Sequence, residues 1–186
     1  MRIIGTEPPH CVIGAGVYYP IRTDFSVWLE FARLIEQEEA RGIVRALNLC
    51  YKSKSPEDPI EAIKLLCEFF AGGASEERES ESGEQIISFT QDEELIYASF
   101  LSEYGIDLSK EKLHWWRFLA LLKNLSPDSS LMRVAHIRDA KLSDIKNPAL
   151  RRSILRQKRI YSLNQNADAA DAIERLFAAE KEKPNG

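Results

Sequence analysis

Three histidines, three cysteines and a Gly-Ala-Gly triplet are the residues of this 186-residue chain whose types could hold a metal, act as nucleophile or base, or cradle a phosphate. Their spacing supports none of these roles. His10 and Cys11 are adjacent, which is poor spacing for a chelate from regular structure, and Cys11, Cys50 and Cys67 include no Cys-x-x-Cys pair. His114 and His136 fall on different predicted helices without acidic companions of motif type, and neither Gly-x-Ser-x-Gly nor His-Glu-x-x-His occurs. After Gly14, Ala15 and Gly16 no Gly-Lys-Ser/Thr follows, and Pro20 comes four residues after Gly16, so nucleotide binding there is disfavoured. Cys50 and Cys67 sit on apolar helical stripes and read as small core residues. Asp92, Glu93 and Glu94 cluster where a helix start favours negative charge, which accounts for them without a metal. The expectation is a non-enzymatic protein with no catalytic, cofactor-binding or metal-ligating residues.

Composition agrees with an ordinary globular class. Hydrophobic residues are 44% and charged residues 29%, which excludes collagen-like, wholly disordered and membrane-embedded chains. An odd cysteine count without a framework indicates a reducing compartment, the first residues do not resemble a signal peptide, and no apolar run approaches the roughly 18 residues of a membrane span. A cytoplasmic protein is expected.

The net charge of -4 hides an uneven distribution. Residues 57–111 hold 15 acidic and 3 basic side chains, whereas residues 133–159 hold 9 basic and 2 acidic ones. These runs read as solvated helix faces, as an electrostatic docking surface for a protein partner, or as complementary regions for self-association. Arg151, Arg152, Arg156, Lys158 and Arg159 form the densest basic stretch, but no aromatic platform or groove-reading motif accompanies it, so nucleic acid is a disfavoured partner.

The elements that carry these residues follow from periodicity. Residues 11–21 have two short β-type runs around the glycines, which suits a hairpin. Val27, Trp28, Phe31, Leu34 and Ile35 recur at helical steps after a Thr23 or Asp24 cap. A second helix is expected over 40–51 with Ile43, Leu47, Cys50 and Tyr51 inward. A third follows the Asp58-Pro59-Glu61 entry, buries Ile60, Ile63, Leu66, Cys67 and Phe70, and ends at Gly72-Gly73. Residues 74–84 hold five Glu and one Arg and no large apolar residue, the composition of a mobile linker. The linear division is therefore 1–73 (hairpin plus helices), 74–84 (linker), 85–163 (helical) and 164–186 (an amphipathic tail helix with a frayed end).

Beyond the linker, Thr90 and Glu93 predict a capping box for a helix that ends at Gly105 and buries Leu95, Ile96, Phe100, Leu101 and Tyr104. The next helix, from a Ser109 cap to Leu125, is the most apolar and is expected at the centre of the second half. Adjacent Trp115 and Trp116 point about 100 degrees apart on it, so either the helix is packed on two sides or one indole serves as a partner anchor. Ser126-Pro127 predicts a helix start with Leu131, Val134, Ala135 and Ile137 inward, and Asn147-Pro148 predicts another running to about Ile160. The fold class is mainly α, helical bundle-like, with a short N-terminal β-hairpin. Candidate partner-binding residues are Trp115, Trp116, Arg151, Arg152 and Arg156.

The strings YPIRTDFSVWLEF (Tyr19 to Phe31), LIYASFLSEYGIDL (Leu95 to Leu108) and LHWWRFLALLKNL (Leu113 to Leu125), with Ile137-Arg138 beyond them, resemble the bacteriophage gene product fifteen family of Gram-positive siphophages and prophages. The similarity runs from about Val12 to Leu163. The resemblance implies a non-enzymatic tail assembly protein in the host bacterial cytoplasm, similar to the chaperones that coat the tape measure protein and recruit tail tube subunits. Its alternative is a structural tail completion or connector component. The partners so implied are the tape measure and tail tube proteins.

Overall fold

The computed structural model describes residues 5–36, 40–72 and 86–163. Two regions expected from the sequence, the acidic stretch 74–84 and the tail 164–186, lie outside them. Among the described residues the chain is mainly helical, with one antiparallel hairpin at its N-terminal end. The described residues divide into two compact units, the first of 5–36, 40–72 and 112–120, the second of 86–111 and 121–163.

In the first unit, β1 (Cys11–Gly14) pairs with β2 (Val17–Pro20) in the register Val12 to Tyr19. The two turn residues between them, Ala15 (φ 46°) and Gly16 (φ 78°), both take the positive φ that two-residue hairpin turns require. Helix α1 (Phe25–Glu36) starts behind Asp24, whose Oδ1 accepts from the Ser26 amide at 3.0 Å. Helix α2 (Ala40–Cys50) lies against α1 so closely that a Cβ on Gly42 would stand 2.6 Å from the Leu34 carbonyl oxygen. This approach explains a departure from the expected pattern: Gly42 and Ala46 are the buried positions of α2 together with Cys50, and the bulkier Ile43 and Leu47 are only half-buried. The Arg22 guanidinium donates to the Leu49 and Tyr51 carbonyls at 2.6 and 2.9 Å, satisfying acceptors that the end of α2 leaves open.

Helix α3 (Pro59–Phe70) has the cap its sequence announces, with Asp58 Oδ1 accepting from the Ile60 amide at 3.0 Å. Its buried face is Ala62, Ile63, Leu65, Leu66 and Phe69, whereas Ile60, Cys67 and Phe70 are half-buried.

The second unit begins with a turn in which Ser88 Oγ accepts from the Gln91 amide and Asp92 Oδ2 accepts from the Ser88 amide. Helix α4 (Glu93–Tyr104) therefore starts two residues later than a Thr90 cap would place it, and ends at Gly105 with φ 67°. Ile96, Ser99 and Phe100 are buried on α4, while Leu101, expected inside, is exposed.

Helix α5 (Trp115–Lys123) is shorter than the sequence suggests. Asp107 Oδ1 accepts from both the amide and the hydroxyl of Ser109, so this serine is held in a turn instead of capping a helix. The following residues run extended, and the Phe25 amide donates to the Leu113 carbonyl at 2.9 Å while the Trp115 amide donates to Thr23 at 2.7 Å. Those bonds bind Lys112–Ala120 into the first unit, although its apolarity suggested the hub of the second half.

Helix α6 (Ser130–Asp139) is capped by Ser129, not Ser126; the Ser129 hydroxyl accepts from Met132, and Ser99 Oγ on α4 accepts from the Leu131 amide at 3.1 Å. Leu131, Val134 and Ala135 are buried as expected, and Ile137 is half-buried. After a single 3-10 turn, Leu142–Asp144, helix α7 (Pro148–Ile160) begins behind Asn147, whose Oδ1 accepts from Ala149 and Leu150.

Candidate functional site

Three groups of side chains deserve separate placement: the tryptophan pair with its histidine, a buried ion pair, and the basic helix. Trp115 and Trp116 each donate their indole N–H to a carbonyl at the C-terminal end of α3. Trp115 Nε1 donates to the Phe70 carbonyl at 2.8 Å and Trp116 Nε1 to the Phe69 carbonyl at 2.9 Å. Trp115 has no exposed surface and its ring stacks on Phe70 at 5.0 Å and Phe118 at 5.4 Å. Trp116 stacks on Phe69 at 5.3 Å and stays half-buried, so of the two only Trp116 offers part of its ring to the surface.

His114 orders the start of α5. Its Nδ1 accepts from the Trp116 amide at 3.1 Å, and Nε2 lies 3.0 Å from the Pro9 carbonyl. An N–H facing Nδ1 and a carbonyl facing Nε2 assign the neutral tautomer with the proton on Nε2. Burial, with smaller contributions from His10 and Arg117, holds its pKa below the ordinary 6.5 despite the opposing bond to Pro9. The unfolded chain therefore takes up this proton first as pH falls. Stability from His114 is complete above about 6.5 and is lost as pH drops toward the lower folded value. The melting temperature should decrease between about pH 7.5 and pH 5.5. In His114→Asn, whose side chain accepts from Trp116 without titrating, that decrease should shrink; an equal decrease in both proteins would refute the assignment.

Cys50 and Cys67 are pushed up to about 12 by burial, so both are thiols at neutral pH and behave as packing groups. Among the described residues no three His, Cys, Asp or Glu side chains are grouped to hold a metal ion, and no helix is long and apolar enough to cross a membrane.

The ion pair was not legible in the sequence. Arg138 on α6 reaches Asp92 with Nη1 and Nη2 at 2.6 and 2.8 Å, a bidentate fork. The same guanidinium donates to the Ile86 carbonyl at 2.8 Å and, through Nε, to the Tyr161 carbonyl at 2.6 Å. Arg138 thus ties the start of α4 to the end of α7. The cluster Asp92-Glu93-Glu94 resolves into one buried structural carboxylate and two exposed ones.

Helix α7, held by this tether, has no buried residue. Arg151, Arg152 and Arg156 are exposed on it, as are Leu150, Leu155 and Ile160. The structure therefore brings Arg151, Arg152 and Arg156 together on one helix of the second unit, and places Trp115 and Trp116 in the first.

The family model described as bacteriophage Gp15 protein matches residues 10–163. The chain belongs to this family. It is accordingly a bacteriophage protein of a structural and assembly class. No curated protein and no solved structure matches it. The matched span of this Gp15 member covers all three tryptophans, the Asp92–Arg138 pair and all of α7.

Proposed function

We propose that the protein is a tail assembly chaperone that coats the tape measure protein in the host cytoplasm and helps to recruit tail tube subunits. Membership of the Gp15 family over residues 10–163 is the observation that carries this reading. The chemistry of the chain supports it: Cys50 and Cys67 are packing groups, His114 holds the start of α5, and the basic helix α7 projects uncovered arginines and aliphatic side chains. A long, partly apolar client aggregates unless its patches are covered. Many copies of a small protein bound side by side give strong total retention from weak single contacts, and weak contacts can be displaced by tube subunits.

Co-expression with the tape measure protein of the same phage should raise the soluble yield of that protein and recover the two together. Unchanged solubility without co-purification would refute the proposal. Mass spectrometry of purified virions should find this chain missing, whereas a few copies per particle would assign it instead to tail completion or a connector.

A further inference from the structure

We propose that α7 of one copy docks on the outward face of α4 of a second copy, giving head-to-tail self-association through complementary charge. The argument rests on these two helix faces and not on the tail assembly reading. On α7, Leu155 is 37% exposed. Arg151, Arg152, Lys158 and Arg159 stand three or four residues from Leu155, the spacing that makes them its neighbours on the helix surface. Among the described residues no carboxylate pairs with these cations or with Arg156.

The helix itself favours these cations only at its C-terminal end, where Lys158 and Arg159 lie in the last turn. Arg151 lies at the end of the first turn, where the positive end of the helix dipole disfavours a cation. Arg152 and Arg156 are like charges four residues apart, which destabilise an isolated helix. An acidic surface on another molecule removes both penalties.

The same unit carries a surface of that kind. Glu93, Glu94, Tyr97 and Leu101 are exposed on α4 and share one face by their three- and four-residue spacing. Tyr97 and Leu101, 36% and 44% exposed, give an apolar strip beside two carboxylates, matching Leu155 beside Arg151, Arg152, Lys158 and Arg159. A nucleic acid would use the cations but leave Leu155 without a role. Because the two faces differ, each added copy presents a fresh α4 or α7, so the contact propagates into rings or open chains.

Sedimentation of the purified full-length chain tests this. Species larger than a monomer should form at about 0.1 M salt and dissociate at about 1 M, where the screening length falls from about 10 to about 3 Å. A triple variant, Arg152→Glu with Arg156→Glu and Arg159→Glu, should be monomeric, and so should Glu93→Arg with Glu94→Arg. An equimolar mixture of the two should associate again, because every contact between unlike copies is then of opposite charge. The single variant Leu155→Ser, a change at an exposed position, should weaken association on the order of tenfold with unchanged circular dichroism. A monomeric parent chain, a folded Leu155→Ser protein that associates normally, or a mixture that stays monomeric would each overturn the proposal. So would binding of a short DNA duplex, lost in the triple variant, by a chain that does not self-associate.

Discussion

Replacing Trp115 with alanine is expected to lower the unfolding free energy of the first unit by about 3–5 kcal/mol, the range for truncating a large buried aromatic. Trp115 is fully buried, and its ring faces Trp28 at 6.4 Å as well as Phe70 and Phe118. Truncation removes these contacts and the donor to the Phe70 carbonyl together. Trp115→Phe separates the two losses: it keeps an aromatic ring for stacking and forfeits the hydrogen bond, worth about 1 kcal/mol. Trp116→Phe likewise forfeits its bond to Phe69 while retaining a stacking ring, and should cost a similar small amount. All three tryptophans of the chain, Trp28, Trp115 and Trp116, belong to the first unit, so denaturant titration followed by indole fluorescence reads that unit. A loss below about 1 kcal/mol for Trp115→Ala would contradict the packing described.

The second large effect is at Arg138. Its side chain is 10% exposed and that of Asp92 2%, so Arg138→Met leaves a buried carboxylate without its cation, at a cost of about 3–5 kcal/mol. Breaking such a pair from one side is far worse than removing both partners. Arg138→Met combined with Asp92→Asn should therefore be less destabilised than the sum of the single variants. Arg138→Lys should not restore the parent stability, because one ammonium cannot reproduce a planar fork on Asp92 together with donors to Ile86 and Tyr161. Circular dichroism is the appropriate readout, since the second unit contains no tryptophan among its described residues. Hydrogen exchange supplies a local one: freeing the Tyr161 carbonyl should speed exchange in the last turn of α7. An Arg138→Met protein as stable as its parent would show that the pair is not shielded from water.

Signals confined to a few residues were legible in advance. The hairpin centred on the glycines, the Asp58-Pro59 and Asn147-Pro148 helix starts and the Gly105 stop all depend on residues close to one another along the chain. Helix starts depart from expectation where another group engages the serine that signals them. Ser109 looked like a cap, but Asp107 captured its amide and hydroxyl; Ser126 looked like another, but its own amide donates to Glu103 and Ser129 took the role. Periodicity puts Leu101 on the apolar face of α4 but does not say how wide a strip a neighbour covers, and Leu101 lies outside that strip.

The partner-facing residues divide in the same way. That Arg151, Arg152 and Arg156 would be uncovered follows from a basic amphipathic helix with a strong cap, but the lack of any buried residue on that helix depends on what packs beside it. The tryptophans could not be assigned from spacing alone, since their acceptors, Phe69 and Phe70, are 47 and 45 residues away. The single sequence hint at Arg138 was its place in the Ile137-Arg138 string that carries the family resemblance.

By itself, the sequence determined a mainly helical chain with an N-terminal hairpin, several helix ends, the absence of catalytic spacing, the separation of acidic from basic stretches and the resemblance to the Gp15 family. Periods, caps and turns are set by interactions along a few residues of backbone, which a linear reading captures. Only the tertiary structure decided that Lys112–Ala120 joins the first unit, that two indoles complete the end of α3, and that Asp92 of an acidic triplet is a buried partner for Arg138. Those outcomes depend on which distant donor or cation closes on a given acceptor, and residue spacing carries no information about that choice until packing has removed water from the pair.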